Sequence, residues 1–593
     1  MSQPILLPLP PRPPGGKQIH KNKTRRKYRR VCQRSGGNSQ PRWLFPFVIV
    51  VIFCLSVLPL GRLAATGIMS AFRGGASELL SDPGLWRSVY DTLSTSFFGM
   101  IAAVILGGGF ALLLTLFDIR GKALLGFLFM LPTMIPPQVT ALSWIGMTGP
   151  SSALLKALGL APPLGSPQPL YSVGGIALLY GVQNAALVYL SLRAGLLALP
   201  RDGVEAARLS GASSFQVLKD VILPLSLPGF AAGAAIAFVS CVGNFGIPAI
   251  LGIPAGIYTL PTLIYSKFAA FGPRTFADIS VLSALIAILS VIGLMVEARV
   301  LRGRDYRVIG LSGQVAVFRL GAWRWLAELL LWLTIFLILA MPLIALVASS
   351  LAPAYGVPLS PSTVTVKAYE EILVRQAATR MAFTNSLSLS LATAFGLLVV
   401  TVLTGYFLVR SKSRFTGLIS ALAEIPYALP GIVLAVAFIL LFAAPIPVIG
   451  ISIYGTIWII LIAYFSSFFA VSLKPVVSAF RQLDPSLEEA ARLSGAGFAR
   501  RLADILVPLV APAAGASVIL VFLIACNELT VSALLWSAGT QTLGVLIYNL
   551  DDSGSFNIAA ALSVLVVVMV IAMMIVLELM AKRLPKGVVP WRS

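Results

Sequence analysis

The sequence predicts an all-α membrane protein of about twelve transmembrane helices, arranged as two parallel six-helix repeats. Three observations lead to this fold class. The 593 residues are 58% hydrophobic and only 11% charged, whereas soluble domains are about 25% charged. Apolar segments of about 20 residues, the length that crosses a bilayer, recur along the chain. One polar stretch also occurs twice, at a spacing of 284 residues.

The apolar segments divide the chain into two halves with six predicted spans each. A first half over residues 43–298 and a second half over residues 325–593 are joined by a predicted cytoplasmic linker, residues 299–324. The predicted spans lie near residues 44–60, 91–117, 123–147, 171–197, 226–250, 277–298, 325–348, 383–409, 417–442, 453–479, 511–536 and 557–580. Because six is an even number, both halves have the same orientation in the membrane.

The distribution of positive charge supports this topology. Alternation of sides from a cytoplasmic N-terminus places 35 of the 44 Lys and Arg residues on the cytoplasmic side and 9 on the other side. This asymmetry follows the positive-inside rule. Residues 1–42 contain eleven Lys and Arg residues and no acid. We predict that they form a disordered basic cytoplasmic tail that contacts anionic membrane lipid and acts as a topology anchor.

Composition also excludes several classes of function. The net charge of +22 does not indicate nucleic-acid binding, because the basic residues lie at the ends of apolar spans and not on a soluble face. The single histidine, His20, lies in the tail, and the four cysteines are scattered without metal-type spacing. No Ser–His–Asp or Cys–His arrangement can be built. We therefore expect no catalytic residue and no metal site in this chain.

Two further pairs of similar segments indicate an internal duplication. DTLSTSFFGM at residues 91–100 parallels NSLSLSLATA at 385–394, and LPTMIPP at 131–137 parallels IPYALPG at 425–431, both at an offset of 294. A duplicated unit in one orientation is a parallel repeat whose axis lies along the membrane normal. The sequence therefore predicts a pathway between the halves, with bent helices at these prolines.

The polar stretch that occurs twice predicts a helix–turn–helix elbow in each half. Residues 205–224 read EAARLSGASSFQVLKDVILP, and residues 489–508 read EAARLSGAGFARRLADILVP. Asp202 and Ser486 precede the two glutamates at capping-box spacing, which predicts a helix start. A glycine ends a helix readily, because it enters the left-handed conformation without a steric penalty. Each copy could be an amphipathic connector only, but two matching copies on the cytoplasmic side favour a docking surface.

These elbows resemble the EAA loop of the permease subunits of binding-protein-dependent ABC importers. The chain has Val221 and Val507 where the family pattern has isoleucine and leucine. The resemblance implies a type-I ABC importer permease (MetI-like) architecture in the bacterial cytoplasmic (inner) membrane, multi-pass, with both termini in the cytoplasm. It also implies that each elbow docks on an ATPase. The implied coupling residues are Glu205, Ala206, Ala207, Gly211 and Pro224 in the first half, and Glu489, Ala490, Ala491, Gly495 and Pro508 in the second.

The resemblance further implies partners that supply the chemistry. The sequence lacks a G-x-x-x-x-G-K-[ST] phosphate loop, so we expect ATP and magnesium to be bound by two copies of a cytoplasmic ABC ATPase. An extracytoplasmic solute-binding protein would deliver the substrate. We expect no cofactor in this chain, and no enzyme activity of its own.

Two stretches, FGIPAILGIPAGIYTLPTLIY (245–265) and ELTVSALLWSAGTQTLGVLIYNL (528–550), resemble the branch of this family that serves ferric iron. Relatives in that branch serve thiamine, polyamines and phosphonates, and these cargoes stay open. A gradient-driven secondary transporter is the alternative from another class, because it uses the same parallel repeat. That alternative leaves the duplicated elbow without a purpose. A membrane-embedded enzyme ranks third, because the sequence shows no clustered ligands.

Four polar residues within apolar segments are candidates for the translocation path. Glu424 and Glu528 are acids in predicted spans, where an ionisable group is costly unless it faces a cavity or a partner. Asn527 precedes Glu528, and the offset of 284 matches Glu528 with Asn244. This equivalence favours the interface between the halves. Glu424 lies two residues before Pro426, so its alternative role is to satisfy the backbone that the proline frees.

Overall fold

The computed structural model is helical throughout its described length. It describes residues 41, 43–72, 75–163, 165–199, 201–270, 272, 274–300, 318–411, 413–445 and 450–581. Within these ranges the only bridge between extended residues joins Phe117 and Phe318. The predictions for the tail, for most of the linker and for the C-terminal residues lie outside the described residues.

The described helices of the two halves follow the same order, except that α7 of the first half has no counterpart among the described helices of the second. The first half contains α1 Leu44–Ile52, α2 Leu58–Phe72, α3 Gly75–Leu80, α4 Pro83–Leu116, α5 Lys122–Met134, α6 Pro137–Met147, α7 Ala153–Ala157, α8 Val173–Leu197, α9 Arg201–Leu209, α10 Ser214–Gln216, α11 Leu223–Gly243, α12 Gly246–Leu251, α13 Leu260–Ala269 and α14 Thr275–Val300. The second half contains α15 Arg324–Ile335, α16 Met341–Leu351, α17 Lys367–Glu370, α18 Ala377–Arg410, α19 Thr416–Ala428, α20 Gly431–Phe442, α21 Ile457–Gln482, α22 Pro485–Leu493, α23 Phe498–Arg501, α24 Val507–Cys526, α25 Ser532–Leu535, α26 Leu543–Asp552 and α27 Phe556–Ala581.

Ten helical segments of the described chain are long and apolar enough to cross a membrane, or twelve if two bent pairs each count as a span. The bent pairs are α5 with α6, at 101°, and α19 with α20, at 105°. The predicted spans 123–147 and 417–442 are therefore not straight helices. Pro136 and Pro430 lie at the two bends, where a proline cannot donate the hydrogen bond that would continue the helix.

Two other predicted spans also end earlier than expected. The segments near 226–250 and 511–536 were predicted as continuous helices, but α11 ends at Gly243 and α24 ends at Cys526. Short helices, α12 and α25, follow each break. Asn244 and Glu528 thus lie at helix ends and not within a span. The breaks expose backbone groups that side chains of the same half satisfy.

Equivalent hydrogen bonds confirm that the halves are repeats. The helices α4 and α18 both contain 34 residues. Thr92 Oγ1 accepts a hydrogen bond from Leu260 N at 2.8 Å, and Ser386 Oγ accepts one from Leu543 N at 2.8 Å. In each half the long helix therefore caps the start of the helix that follows the break.

The leading helix of each half packs against the other half. Helix α2 contacts α20, and α1 contacts α18 and α19 of the second half. In return, α16 contacts α6, and α15 contacts α5 of the first half. Each bent pair is therefore covered by the half to which it does not belong.

The end of the linker is attached to the first half. Phe318 N donates to Leu116 O at 2.7 Å, and Leu320 N donates to Asp118 Oδ1 at 2.9 Å. That second bond, reinforced by Arg324 at 3.6 Å, holds the pKa of Asp118 below its usual value. The linker thus returns to the first half before its chain enters the second.

Candidate functional site

The two elbows, residues 201–224 and 485–508, have the same backbone geometry. Gly211 and Gly495 have φ of +86° and +83°, the left-handed conformation that favours glycine. The same three turn bonds close each helix: Ser210 N to Ala206 O, Gly211 N to Arg208 O and Ala212 N to Ala207 O in the first elbow recur at the positions 284 residues later. The predicted helix–turn–helix shape is therefore present in both copies.

The start of the second elbow helix differs from the predicted cap. Asp484, not Ser486, is the N-cap, and its Oδ1 accepts a hydrogen bond from Ser486 N at 2.8 Å. This bond holds the pKa of Asp484 below its ordinary value. Pro485 occupies the first helical position, where a missing N–H costs nothing. In the first elbow α9 already begins at Arg201, so Asp202 lies inside the helix.

Each elbow presents the same small and apolar surface to its surroundings. Leu209 and Leu493, at equivalent positions, are both 90% exposed. Ala206 and Ala490 are exposed as well, whereas Ala207 and Ala491 are half-buried. Burial of one leucine side chain is worth about 1.5–3 kcal/mol. Two exposed leucines beside small residues are therefore typical of a surface that a partner covers.

The prolines of the elbows explain how each elbow joins its span. Wider π-type turns, Val217–Ile222 and Leu502–Leu506, end two residues before Pro224 and Pro508. A proline has no N–H and collides with the carbonyl four residues earlier, so the helix widens there. Pro224 and Pro508 themselves are exposed. These prolines therefore influence the path of the backbone, and with it the direction of the elbow helix relative to its span, and not a contact at the surface.

Residues that precede the first helix of each half contact the elbow of the other half. Trp43 packs edge-on against Phe498 of the second elbow at 6.1 Å between ring centroids. Phe318 lies beneath the guanidinium of Arg208 in the first elbow at 4.8 Å. The start of each half therefore packs against both the bent pair and the elbow of the other half; we call this arrangement the exchange of leading helices.

At the breaks after α11 and α24, Asn244 and Glu528 perform the same structural task. Asn244 Oδ1 accepts from Ile247 N at 3.1 Å, and Glu528 Oε1 accepts from Val531 N at 2.7 Å. Both contacts span three residues and cap the short helix that follows. The predicted equivalence of Asn244 and Glu528 is thus visible in their hydrogen bonds.

A buried tyrosine supports each break. Tyr180 OH donates to Asn244 O at 3.4 Å, and the buried Tyr464, 284 residues later, lies beside Glu528. The second oxygen of Glu528 accepts from Ser532 N at 3.1 Å. The carboxylate of Glu528 is therefore directed into its own half and not across the interface towards Asn244.

Asn527 is the predicted residue that joins the halves directly. Its Nδ2 donates to Met134 O of the first bent pair at 3.0 Å, while its Oδ1 is buried without a partner among the described residues. The equivalent position in the first half is Gly243, where an added Cβ would lie 2.8 Å from Pro430. Each break thus packs on the bend of the opposite half.

Gln138 also belongs to this interface, although no motif in the sequence marks it. The residue is fully buried, and neither polar atom of its side chain has a partner among the described residues. A Cβ added to Gly544 of the second half would lie 3.1 Å from Gln138 Nε2 and 3.1 Å from the carbonyl oxygen of Glu528. The signal that could have found Gln138 is its position directly after Pro136–Pro137, at a bend between apolar helices.

Aromatic rings close the interface beyond the breaks, on the side away from the elbows. Tyr265 and Tyr548 end the equivalent segments TLPTLIY and TLGVLIY. Their rings lie 5.7 Å apart at 90°, and both pack against Phe245, at 5.1 and 5.8 Å. One equivalent tyrosine from each half thus meets its counterpart across the interface.

Glu424 lies apart from these residues. Its side chain is 54% exposed, and its Oε2 lies 4.0 Å from Lys474 Nζ, which also stacks on Tyr427 at 4.9 Å. The side chain faces outwards beside an opposite charge and does not point to the interface of the halves. Among the described residues, no group of three or more His, Cys, Asp or Glu side chains is arranged to hold a metal ion.

Comparisons with known proteins agree with this geometry. The family described as "Binding-protein-dependent transport system inner membrane component" matches twice, over residues 96–302 and 397–589. The "Probable ABC transporter permease protein y4fN" of Sinorhizobium fredii is 27% identical over 92% of this chain and 95% of its own length. The "Ferric transport system permease protein FbpB" of Actinobacillus pleuropneumoniae is 24% identical over 91% of this chain and 78% of its own length. The "Molybdenum transport system permease protein ModB" of Escherichia coli is 30% identical over 39% of this chain and all of its own length.

Proposed function

The chain belongs to the family of binding-protein-dependent transport system inner membrane components, and on that premise we propose that this ABC importer permease carries ferric iron. It is a multi-pass inner-membrane protein that contains two copies of the permease unit in one polypeptide. The single observation that carries its role in coupling is the duplicated elbow, with a leucine 90% exposed at the same position in each copy.

The mechanism assigns a task to each part of the chain. Two copies of a cytoplasmic ATPase, which bind ATP and magnesium, dock on the elbows, one on each half. ATP binding draws the ATPases together, and the elbows transmit this movement through Pro224 and Pro508 to the spans. The halves then rock about the interface, and the contact between Tyr265 and Tyr548 opens. Both termini lie in the cytoplasm, and an extracytoplasmic binding protein delivers the cargo to the open side.

The choice of ferric iron is supported by relatives and by the chemistry of the interface. Two relatives that cover 91% and 79% of this chain are named "Ferric transport system permease protein FbpB" and "Putative ferric transport system permease protein FbpB 1". The groups at the interface of the halves include amide and carbonyl oxygens of Gln138, Asn527 and Glu528. Oxygen ligands suit hard cations. The carboxyl group of Glu528 also lies nearby, although its hydrogen bonds are within its own half.

The cargo is tested by uptake into proteoliposomes that contain the chain together with its ATPase and its binding protein. We expect ATP-dependent accumulation of radiolabelled ferric iron, and no competition by thiamine, polyamines, phosphonates or molybdate at tenfold excess. Accumulation of one of these other compounds, with no uptake of iron, would replace ferric iron as the cargo and leave the importer mechanism intact.

A further inference from the structure

The two elbows are attached to their halves by different kinds of contact. In each elbow helix one position beside the EAA triplet faces inwards. In the first elbow this residue is Val204, which is 6% exposed, and in the second it is Glu488, which is 8% exposed. A buried carboxylate is costly unless charged and hydrogen-bonding groups surround it. The surroundings of Glu488 therefore need to differ from those of Val204.

Three side chains from two other segments surround Glu488. Tyr406 OH donates to Glu488 Oε1 at 2.6 Å. Arg410 Nε lies 3.6 Å from Oε2, and Arg501 Nη1 lies 3.7 Å from Oε1. Tyr406 and Arg410 belong to the end of α18, whereas Arg501 belongs to α23, after the turn of the elbow. Arg410 also donates to Leu483 O at 3.1 Å, just before the elbow helix.

All four residues of this network have apolar counterparts in the first half. The offset of 294 matches Tyr406 with Leu112 and Arg410 with Leu116, and the offset of 284 matches Glu488 with Val204 and Arg501 with Val217. Leu116 and Val217 are fully buried, as Val204 nearly is. One half therefore uses a hydrogen bond and two ion pairs to a buried glutamate, where its repeat uses leucine and valine.

We propose that Tyr406, Arg410, Glu488 and Arg501 form a positioning network that fixes the orientation of the second elbow relative to α18. The hydrogen bonds from Tyr406 OH to Glu488 and from Arg410 Nη2 to Leu483 O are directional, so they fix the rotation of the elbow helix relative to α18. Apolar contacts are not directional, so the first elbow can adjust its orientation against its half. Two identical partner subunits would then act on two unequal elbows. This last consequence rests on the proposed function, but the network itself does not.

The network is tested by hydrogen exchange on the full chain in lipid nanodiscs, without any ATPase. Removal of one member leaves the other charges buried and uncompensated. In Glu488→Gln we expect the amides of residues 489–493 to exchange at least tenfold faster, while those of residues 205–209 in the first elbow do not change. Asp504→Asn is the matched control, because its pair with Arg500 at 3.9 Å lies on the same elbow but is exposed and is worth little.

A second variant keeps the test decisive if Glu488→Gln fails to fold. The quadruple variant Tyr406→Leu, Arg410→Leu, Glu488→Val, Arg501→Val transfers the residues of the first half to the second. Replacement of a whole buried ionic group by apolar residues is commonly neutral or stabilising. We expect this variant to fold and its elbow amides to exchange within about threefold of the native rate.

Two outcomes would overturn the positioning network. One is native exchange in a folded Glu488→Gln variant. The other is a quadruple variant that is as labile as Glu488→Gln or does not fold. Because these experiments contain no partner, they remain valid if the elbows dock nothing. A separate measurement with the ATPase tests the coupling role alone: the quadruple variant, whose elbow is folded but lacks the directional contacts, should lose cargo-stimulated hydrolysis, whereas Asp504→Asn should retain it.

Discussion

At the scale of single residues, Gln138 is a polar group at the interface of the halves whose presence folding does not explain. Its amide is fully buried and has no partner among the described residues, and an unsatisfied buried polar group costs about 1–3 kcal/mol. Gln138→Met keeps the length of the side chain and removes both polar atoms. We expect a higher melting temperature together with a loss of cargo uptake of at least tenfold.

The equivalent position in the second half provides a control for Gln138. Ile432 is also fully buried, so Ile432→Met tests packing at the matching bend without a change of polarity. It should lower stability by less than about 1.5 kcal/mol and leave uptake within twofold of native. A Gln138→Met variant that transports normally would remove Gln138 from the translocation path.

Glu528 is predicted to act first on the structure of the break. Both of its oxygens accept backbone N–H groups, and a glutamine has only one acceptor oxygen. Glu528→Gln should lower the free energy of unfolding by about 1–3 kcal/mol, as measured by thermal unfolding in detergent. Glu424→Gln should change it by less than about 1 kcal/mol, because its pair with Lys474 is exposed. Equal stability of Glu528→Gln and native protein would contradict the capping role.

The sequence identified some of these residues and missed others. Asn244, Asn527 and Glu528 were found because an acid or amide in an apolar segment is conspicuous and the repeat offset pairs two of them. Glu488 was not identified, because two adjacent glutamates in a polar elbow do not indicate which of them is buried. The direction of the Glu528 carboxylate could not be predicted, because it depends on where α24 ends.

At the scale of elements, the elbow glycines are the next test. An added Cβ at Gly211 or Gly495 would meet no atom within 4 Å, so the cost of a side chain comes only from the positive φ. We expect about 1 kcal/mol or more per site for valine. The double variant Gly211→Val, Gly495→Val should insert and fold but lose coupling to the ATPase.

Asparagine distinguishes backbone conformation from side-chain bulk at these glycines. Asparagine tolerates the left-handed conformation better than valine does. The double variant Gly211→Asn, Gly495→Asn should therefore retain most of the ATP-dependent uptake that the valine variant loses. If both double variants transport at the native rate, the turn geometry does not matter for coupling.

Most elements could be predicted, because spanning helices need about 20 apolar residues. The two right-angle bends could be predicted only as bends, since Pro132, Pro136, Pro426 and Pro430 mark weakened helices but do not fix an angle. The breaks at Asn244 and Asn527 were missed because the apolar run continues into α12 and α25. The helix therefore ends there without a change in hydropathy.

At the scale of the whole molecule, the exchange of leading helices makes the halves interdependent. Helix α2 covers α20 of the second half, and α16 covers α6 of the first. A chain divided between residues 310 and 311 should therefore reassemble when both parts are expressed together and be recovered as a complex by an affinity tag on one part. Each part alone should be degraded, because its bent pair is no longer packed against the leading helices of the other half. If either half alone is stable and monodisperse, the halves do not depend on each other's leading helices.

The exchange itself could not be predicted from the sequence. The repeat indicates which segments are equivalent, but helix association in lipid depends on close packing and not on apolar periodicity. The duplication and the elbows were predictable, because matching residues recur in the sequence at fixed offsets.

The central claim is that ATP, through the two elbows, drives uptake. It is tested most directly by uptake in proteoliposomes that contain the chain, its ATPase and loaded binding protein, with ion gradients collapsed by ionophores. We predict ATP-dependent uptake by native protein, and at least a tenfold loss in the double variant Leu209→Ser, Leu493→Ser. Leu160→Ser, at a site 69% exposed in the loop opposite the elbows, should transport normally. Uptake that follows an ion gradient without ATP, or native uptake in the double variant, would contradict the account.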